Sequence, residues 1–114
     1  MAYLENIARG QVLKLADEVV TTPGKTICKT LVKNDAVAVL LFAFSRGKEL
    51  RTHTSEGDAM VLVLEGCGEF TLDGTKHVCH AGESIVIPAD LPHSVYAGED
   101  FKMMLTIVFP PEKK

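Results

Sequence analysis

Turn-forming residues interrupt this chain so often that no long helix fits between them. Pro23-Gly24, Lys33-Asn34-Asp35, Arg46-Gly47-Lys48, Gly66 with Gly68, Asp73-Gly74, Ala81-Gly82, Pro88 to Pro92 and Gly98-Glu99-Asp100 follow at short, fairly even intervals. The segments between them are rich in β-branched and aromatic residues, which suit a pleated surface. The pattern predicts nine strands, near 26–33, 36–45, 48–53, 59–65, 68–72, 75–80, 84–87, 93–97 and 101–109. Many short strands at near-regular spacing make an all-β sandwich or barrel.

Asp73-Gly74 is the sharpest local signal, because a type I′ hairpin turn needs positive φ at both central positions. A two-residue turn there pairs Leu72 with Thr75, Phe70 with His77 and Cys67 with His80. His77 and His80 then read as solvent-facing strand partners rather than ligands. Two other segments, 36–44 and 59–64, are apolar at both parities. A strand covered on one face only alternates, so these two need cover on both. A second copy of the chain is one source of that cover, and a homodimer is the expectation. The N-terminal segment is the competing source. Residues 1–22 read as an extended segment with a helical turn around Val12, Leu15, Ala16 and Val19, 23–109 as the barrel and 110–114 as a tail.

Composition limits the partners. The chain of 114 residues has a single-domain length, and 46% hydrophobic with 24% charged residues is the balance of an ordinary globule. The net charge is −3 and no basic stripe is present beyond the terminal Lys113-Lys114, so nucleic acid is not expected as a partner. The longest apolar run, 36–44, is far shorter than the roughly 20 residues of a membrane helix. Glu5 and Arg9 break up the N-terminus, which therefore does not read as a signal peptide. Cys28, Cys67 and Cys79 cannot all pair with one another and none lies in a CxxC spacing. Reduced thiols and a cytoplasmic location are the expectation.

Two histidines sit in a regular frame. After Gly47 come five residues, His53, one residue, Ser55, three residues, Ala59, six residues and Gly66. After Gly82 come five residues, Pro88, one residue, Asp90, two residues, His93, three residues and Ala97. This frame resembles the two motifs of the cupin superfamily, over residues 47–97. The resemblance implies a double-stranded β-helix, or jelly-roll barrel, of about nine to eleven strands in two antiparallel sheets. In metal-binding cupins two His and a Glu of the first motif, with the His of the second, converge on one ion. Here His53 and His93 fill two of those four positions, while Ser55 and Ala59 fill the others.

Two imidazoles alone hold a divalent ion weakly, since protein sites normally supply three or four ligands. Asp58 or Glu56 would complete a two-histidine, one-carboxylate set for iron, manganese, zinc or nickel. Strand parity opposes Asp58, because a residue next to an inward Ala59 points outward. The resemblance implies a small-molecule-binding protein with its site at the barrel mouth, around His53 and His93, and a divalent-metal-dependent enzyme is one form of it. The alternative is a metal-free binding or sensor module. No Ser-His-Asp set, phosphate loop or metalloprotease helix motif is present.

Overall fold

The computed structural model describes residues 3–111, so the expected features at 1–2 and 112–114, including most of the tail and Lys113-Lys114, lie outside the described residues. Among the described residues nine strands form: β1 Thr26–Lys33, β2 Val37–Phe44, β3 Glu49–His53, β4 Asp58–Glu65, β5 Cys67–Leu72, β6 Thr75–His80, β7 Ser84–Ile87, β8 His93–Tyr96 and β9 Phe101–Val108. Each lies within a residue or two of the boundaries that the turn residues predict. The single helical element among the described residues is a 3₁₀ turn at Leu15–Glu18.

The strands divide into a five-stranded sheet in the order β1-β2-β9-β4-β7 and a four-stranded sheet in the order β3-β8-β5-β6. Every pairing is antiparallel. This is the two-sheet jelly roll that the sequence implied. The β5–β6 hairpin has the expected register, with Leu72 opposite Thr75, Phe70 opposite His77 and Cys67 opposite His80. Asp73 and Gly74 both take positive φ, at 47° and 87°. Cys79 therefore pairs with Gly68 on the buried face while Cys67 sits one position along, on the other face. All three cysteines are free thiols.

Two apolar layers hold the sheets. Between them lie Phe44, Ala59, Val61, Val63, Phe70, Val95, Phe101 and Met103 among others. Phe101 stacks on Phe44 with ring centres 4.8 Å apart and meets Phe70 edge-on at 6.3 Å. Gly68 is required beside this cluster, since a Cβ there would lie 2.6 Å from the Phe101 ring. The second layer covers the outer face of the five-stranded sheet: Val19, Leu31, Leu41 and Ala43 are buried there, with Ile7, Leu15, Leu64 and Met104 packed against them. The N-terminal segment thus supplies much of the cover that β2, β4 and β9 need. Four bonds fasten it: Glu5 N–H to Leu31 O, Asn6 Nδ2 to Thr30 O, a Lys29–Glu18 ion pair at 3.0 Å, and Lys102 Nζ to Ala16 O at 2.6 Å. The cover is incomplete. Met60, Val86 and Val108 stay half exposed or more at the far end of the same face.

Candidate functional site

His53 ends β3 and His93 begins β8, and the two are direct cross-strand partners. Their ring centres are 4.3 Å apart with the planes tilted by 57°. A local irregularity makes this meeting possible. Leu50 pairs with Val95 and His53 pairs with His93, so three steps along β3 match two along β8. In a regular strand, residues three apart face opposite ways. The β-bulge at Arg51-Thr52 absorbs the odd residue and turns Leu50 and His53 to the same face. His93 is buried at 6% exposure, whereas His53 is exposed on the edge strand.

Both rings are oriented by the same device. His53 Nδ1 lies 2.8 Å from Arg51 O, and His93 Nδ1 lies 2.9 Å from Leu91 O, each a backbone carbonyl two residues earlier. A carbonyl oxygen only accepts, so Nδ1 must carry the hydrogen in both rings. In the neutral imidazole the Nε2 lone pair is then free. A carbonyl on the far nitrogen is the usual partner of a metal-ligating histidine, and it equally prepares a general base. Two imidazoles bound to one ion at about 2.1 Å through Nε2, at a right angle, have ring centres roughly 4.5 Å apart. The observed separation fits such a pair.

The other positions are engaged elsewhere. Asp58 is exposed, and its Oδ1 accepts the Ala89 N–H at 2.8 Å, tying β4 to the turn that leads into His93. Glu56 is also exposed and lines a cleft of about 530 Å³ with Lys33, Asp35 and Phe109. Ser55 Oγ accepts the Gly57 N–H at 3.3 Å, and Ala59 is part of the core. Among the described residues, no three His, Cys, Asp or Glu side chains come together as a metal-binding group. His77 and His80 are exposed, and His80 N–H and Nδ1 both meet Glu83 Oε1. These bonds hold the Glu83 carboxyl below its usual range.

The loops flanking the pair brace each other. Asp90 N–H donates to Ser55 O at 2.8 Å, joining the segment after His53 to the segment before His93. Asp90 adopts a left-handed φ of 64°, in a position where the resembling family has glycine. Gly57 lies flat against the Val108 backbone, where a Cβ has no room. The bulge, the two carbonyl acceptors and the Asp58 tie carry no sequence signal beyond a Gly in the loop after His53.

Residues 40–109 match the family model described as Cupin domain. A dimethylsulfoniopropionate lyase, DddW, from Ruegeria pomeroyi is 36% identical over 84 residues, which cover 69% of this chain and 55% of the lyase. The chain thus spans about half the length of that curated relative. Among solved structures, the conserved SPY1581 protein from Streptococcus pyogenes is 38% identical and superposes with a TM-score of 0.96, covering 98% of both chains. A cupin superfamily protein from Desulfitobacterium hafniense is 25% identical with a TM-score of 0.90, covering 96% of this chain and all of its own.

Proposed function

Because this chain belongs to the cupin family, we propose that its small-molecule site is the His53–His93 pair, with a divalent cation between the two imidazoles. The observation that carries the reading is the matched pair of Nδ1–carbonyl bonds, which leaves Nε2 free on both of two rings whose centres are 4.3 Å apart. Such a cation would polarise a ligand oxygen or lower the pKa of bound water. The chain's own part is to fix both rings: His93 from the sheet interior, His53 from the bulged edge strand.

Metal content after purification without chelator or affinity tag tests this, followed by titration with iron, manganese, zinc and nickel. Metal bound by the native chain and lost in His53→Ala supports the reading. A chain that takes up none of the four refutes it. The second reading is a metal-free ligand-binding or sensor module, favoured by the lack of a third ligating side chain among the described residues.

The kinship with DddW supports a small organic ligand and leaves the reaction to experiment. Three unpaired thiols support a reducing, cytoplasmic compartment. No helix among the described residues is long and apolar enough to cross a membrane. Self-association belongs to the same proposal. Met60 and Val86 are cross-strand neighbours, Val108 lies beside them on β9, and all three are more than half exposed. A homodimer over this end of the sheet, burying about 800 Å² per partner, would cover what the N-terminal segment leaves bare. Sedimentation at micromolar concentration decides it, since a mass at the 12.4 kDa chain value throughout refutes the dimer.

A further inference from the structure

We infer that a second copy of the chain docks edge to edge: β7 of one copy pairs antiparallel with β7 of the other about a twofold axis at Ile85, so that the two five-stranded sheets become one continuous sheet. This rests on the homodimer reading above and names the strand that makes the join.

Each sheet leaves two edges unpaired, β1 and β7 in one and β3 and β6 in the other. An open strand edge is a template for another strand, and proteins guard it with charges, bulges or cover. Three of these edges are guarded. β1 carries Lys29 and Lys33, is bulged between Thr30 and Val32, and accepts the Glu5 N–H on Leu31 O. β3 carries Glu49 and Arg51 and has the bulge described above. β6 carries Lys76, and its His80 N–H is taken by Glu83 Oε1. β7 is Ser-Ile-Val-Ile, with an unbroken register on β4 and no charged side chain. A cleft of about 500 Å³ opens beside Ser84 and Ile85, walled on its far side by His77, Val78 and Cys79.

The backbone of β7 suits its own twin. Val63 N–H donates to Glu83 O at 3.0 Å, so Glu83 O points to β4. Backbone groups alternate in direction along an antiparallel strand, so those of Ser84 and Val86 point away from β4 to the open edge. With Ile85 opposite its twin, Ser84 of each copy faces Val86 of the other, and every outward N–H and C=O of the two strands is paired. A pair centred on Val86 sets Ser84 against Pro88, which lies past the strand and has no N–H to give. A pair centred on Ser84 sets Val86 against Gly82, whose N–H is already given to Val63 O. The Ile85 register also brings together the two Ile85 side chains, which line the clefts, and runs the exposed Met60–Val86 row of one copy into that of the other.

Amide hydrogen exchange on the intact chain, alongside sedimentation, tests this. In a single copy the Ser84 and Val86 amides face water, while those of Ile85 and Ile87 face β4. Raising the concentration from the monomer to the dimer range should slow exchange at Ser84 and Val86 about tenfold or more and leave Ile85 and Ile87 as slow as before. Ser84→Pro removes an outward N–H at the first strand position, where proline is tolerated, and should weaken dimerisation about tenfold or more. Met60→Lys, on the apolar face but away from the edge, should leave dimerisation within about threefold of native. A native dimer whose Ser84 and Val86 amides stay fast overturns the inference and leaves the homodimer standing. A dimer abolished by Met60→Lys and kept by Ser84→Pro does the same. If Ser84→Pro does not fold, amide exchange on the native chain decides alone. A chain that sediments as a monomer at every concentration removes the homodimer reading and the inference together.

Discussion

Asp58 distinguishes a carboxylate that holds the fold from one that holds a ligand. Its Oδ1 accepts the backbone N–H of Ala89 at 2.8 Å, across from β4 to the turn between β7 and β8. The same turn is held by Asp90 N–H to Ser55 O, and Leu91 in it supplies the carbonyl that orients His93. A hydrogen bond to a charged acceptor is worth about 1.5–3 kcal/mol when sheltered. Asp58 is exposed and Ala89 only half-buried, so water replaces part of what is lost. Asp58→Ala should therefore cost about 1 kcal/mol, somewhat less than that range. For a domain of this size that is a fall in Tm of about 3–6 °C, read by a thermal melt. Asp58→Asn keeps an amide oxygen in the same place and should recover most of the loss. Nickel retention measured on Asp58→Asn should stay within about twofold of the native value, a change of about 0.4 kcal/mol, since Asp58 is no ligand. An Asp58→Asn chain that melts like the native one yet binds nickel at least tenfold more weakly would refute the tie and make Asp58 a ligand. An Asp58→Ala chain with an unchanged melt would show that the bond contributes nothing.

Other substitutions probe the frame around the site. Gly68→Ala places a Cβ 2.6 Å from the Phe101 ring, so urea unfolding should show a loss of about 1–3 kcal/mol, partly recovered by adding Phe101→Leu. Gly74→Val meets no neighbouring atom, but its φ of 87° is closed to a β-branched residue, and a comparable loss of about 1–3 kcal/mol should appear in the melt. Thiol labelling at neutral pH should be fastest at the exposed Cys28 and slowest at the buried Cys79. Burial first, and then the charge of Glu83, raise the Cys79 pKa, so the folded chain keeps that proton after the unfolded chain has lost it. Its contribution to stability is therefore intact at neutral pH and declines as pH rises past the ordinary thiol range, a fall that Cys79→Ala should reduce in melts at alkaline pH.

The division of the chain into strands is a local matter, and the sequence carries it. A positive-φ pair such as Asp73-Gly74 sets a hairpin turn wherever it stands, and the register of β5 on β6 follows by counting. Alternation also places Ala59, Val61 and Val63 in the core and leaves Asp58 outside it. The spacing around His53 and His93 nominates the two histidines together. What the tertiary structure alone decides is how they meet. An extra residue in β3 reverses the parity that counting assigns, and it is defined only by pairing with β8, far along the chain. The apolar excess of β2 and β4 announces a second covered face without saying what covers it. Packing gives Leu64 and Met104 to the N-terminal segment and leaves Met60 and Val108 to solvent. The roles of Asp58 and Glu56 divide for the same reason: a carboxylate's partner is fixed by which backbone amide or side chain the fold brings within 3 Å of it, and periodicity has no access to that distance.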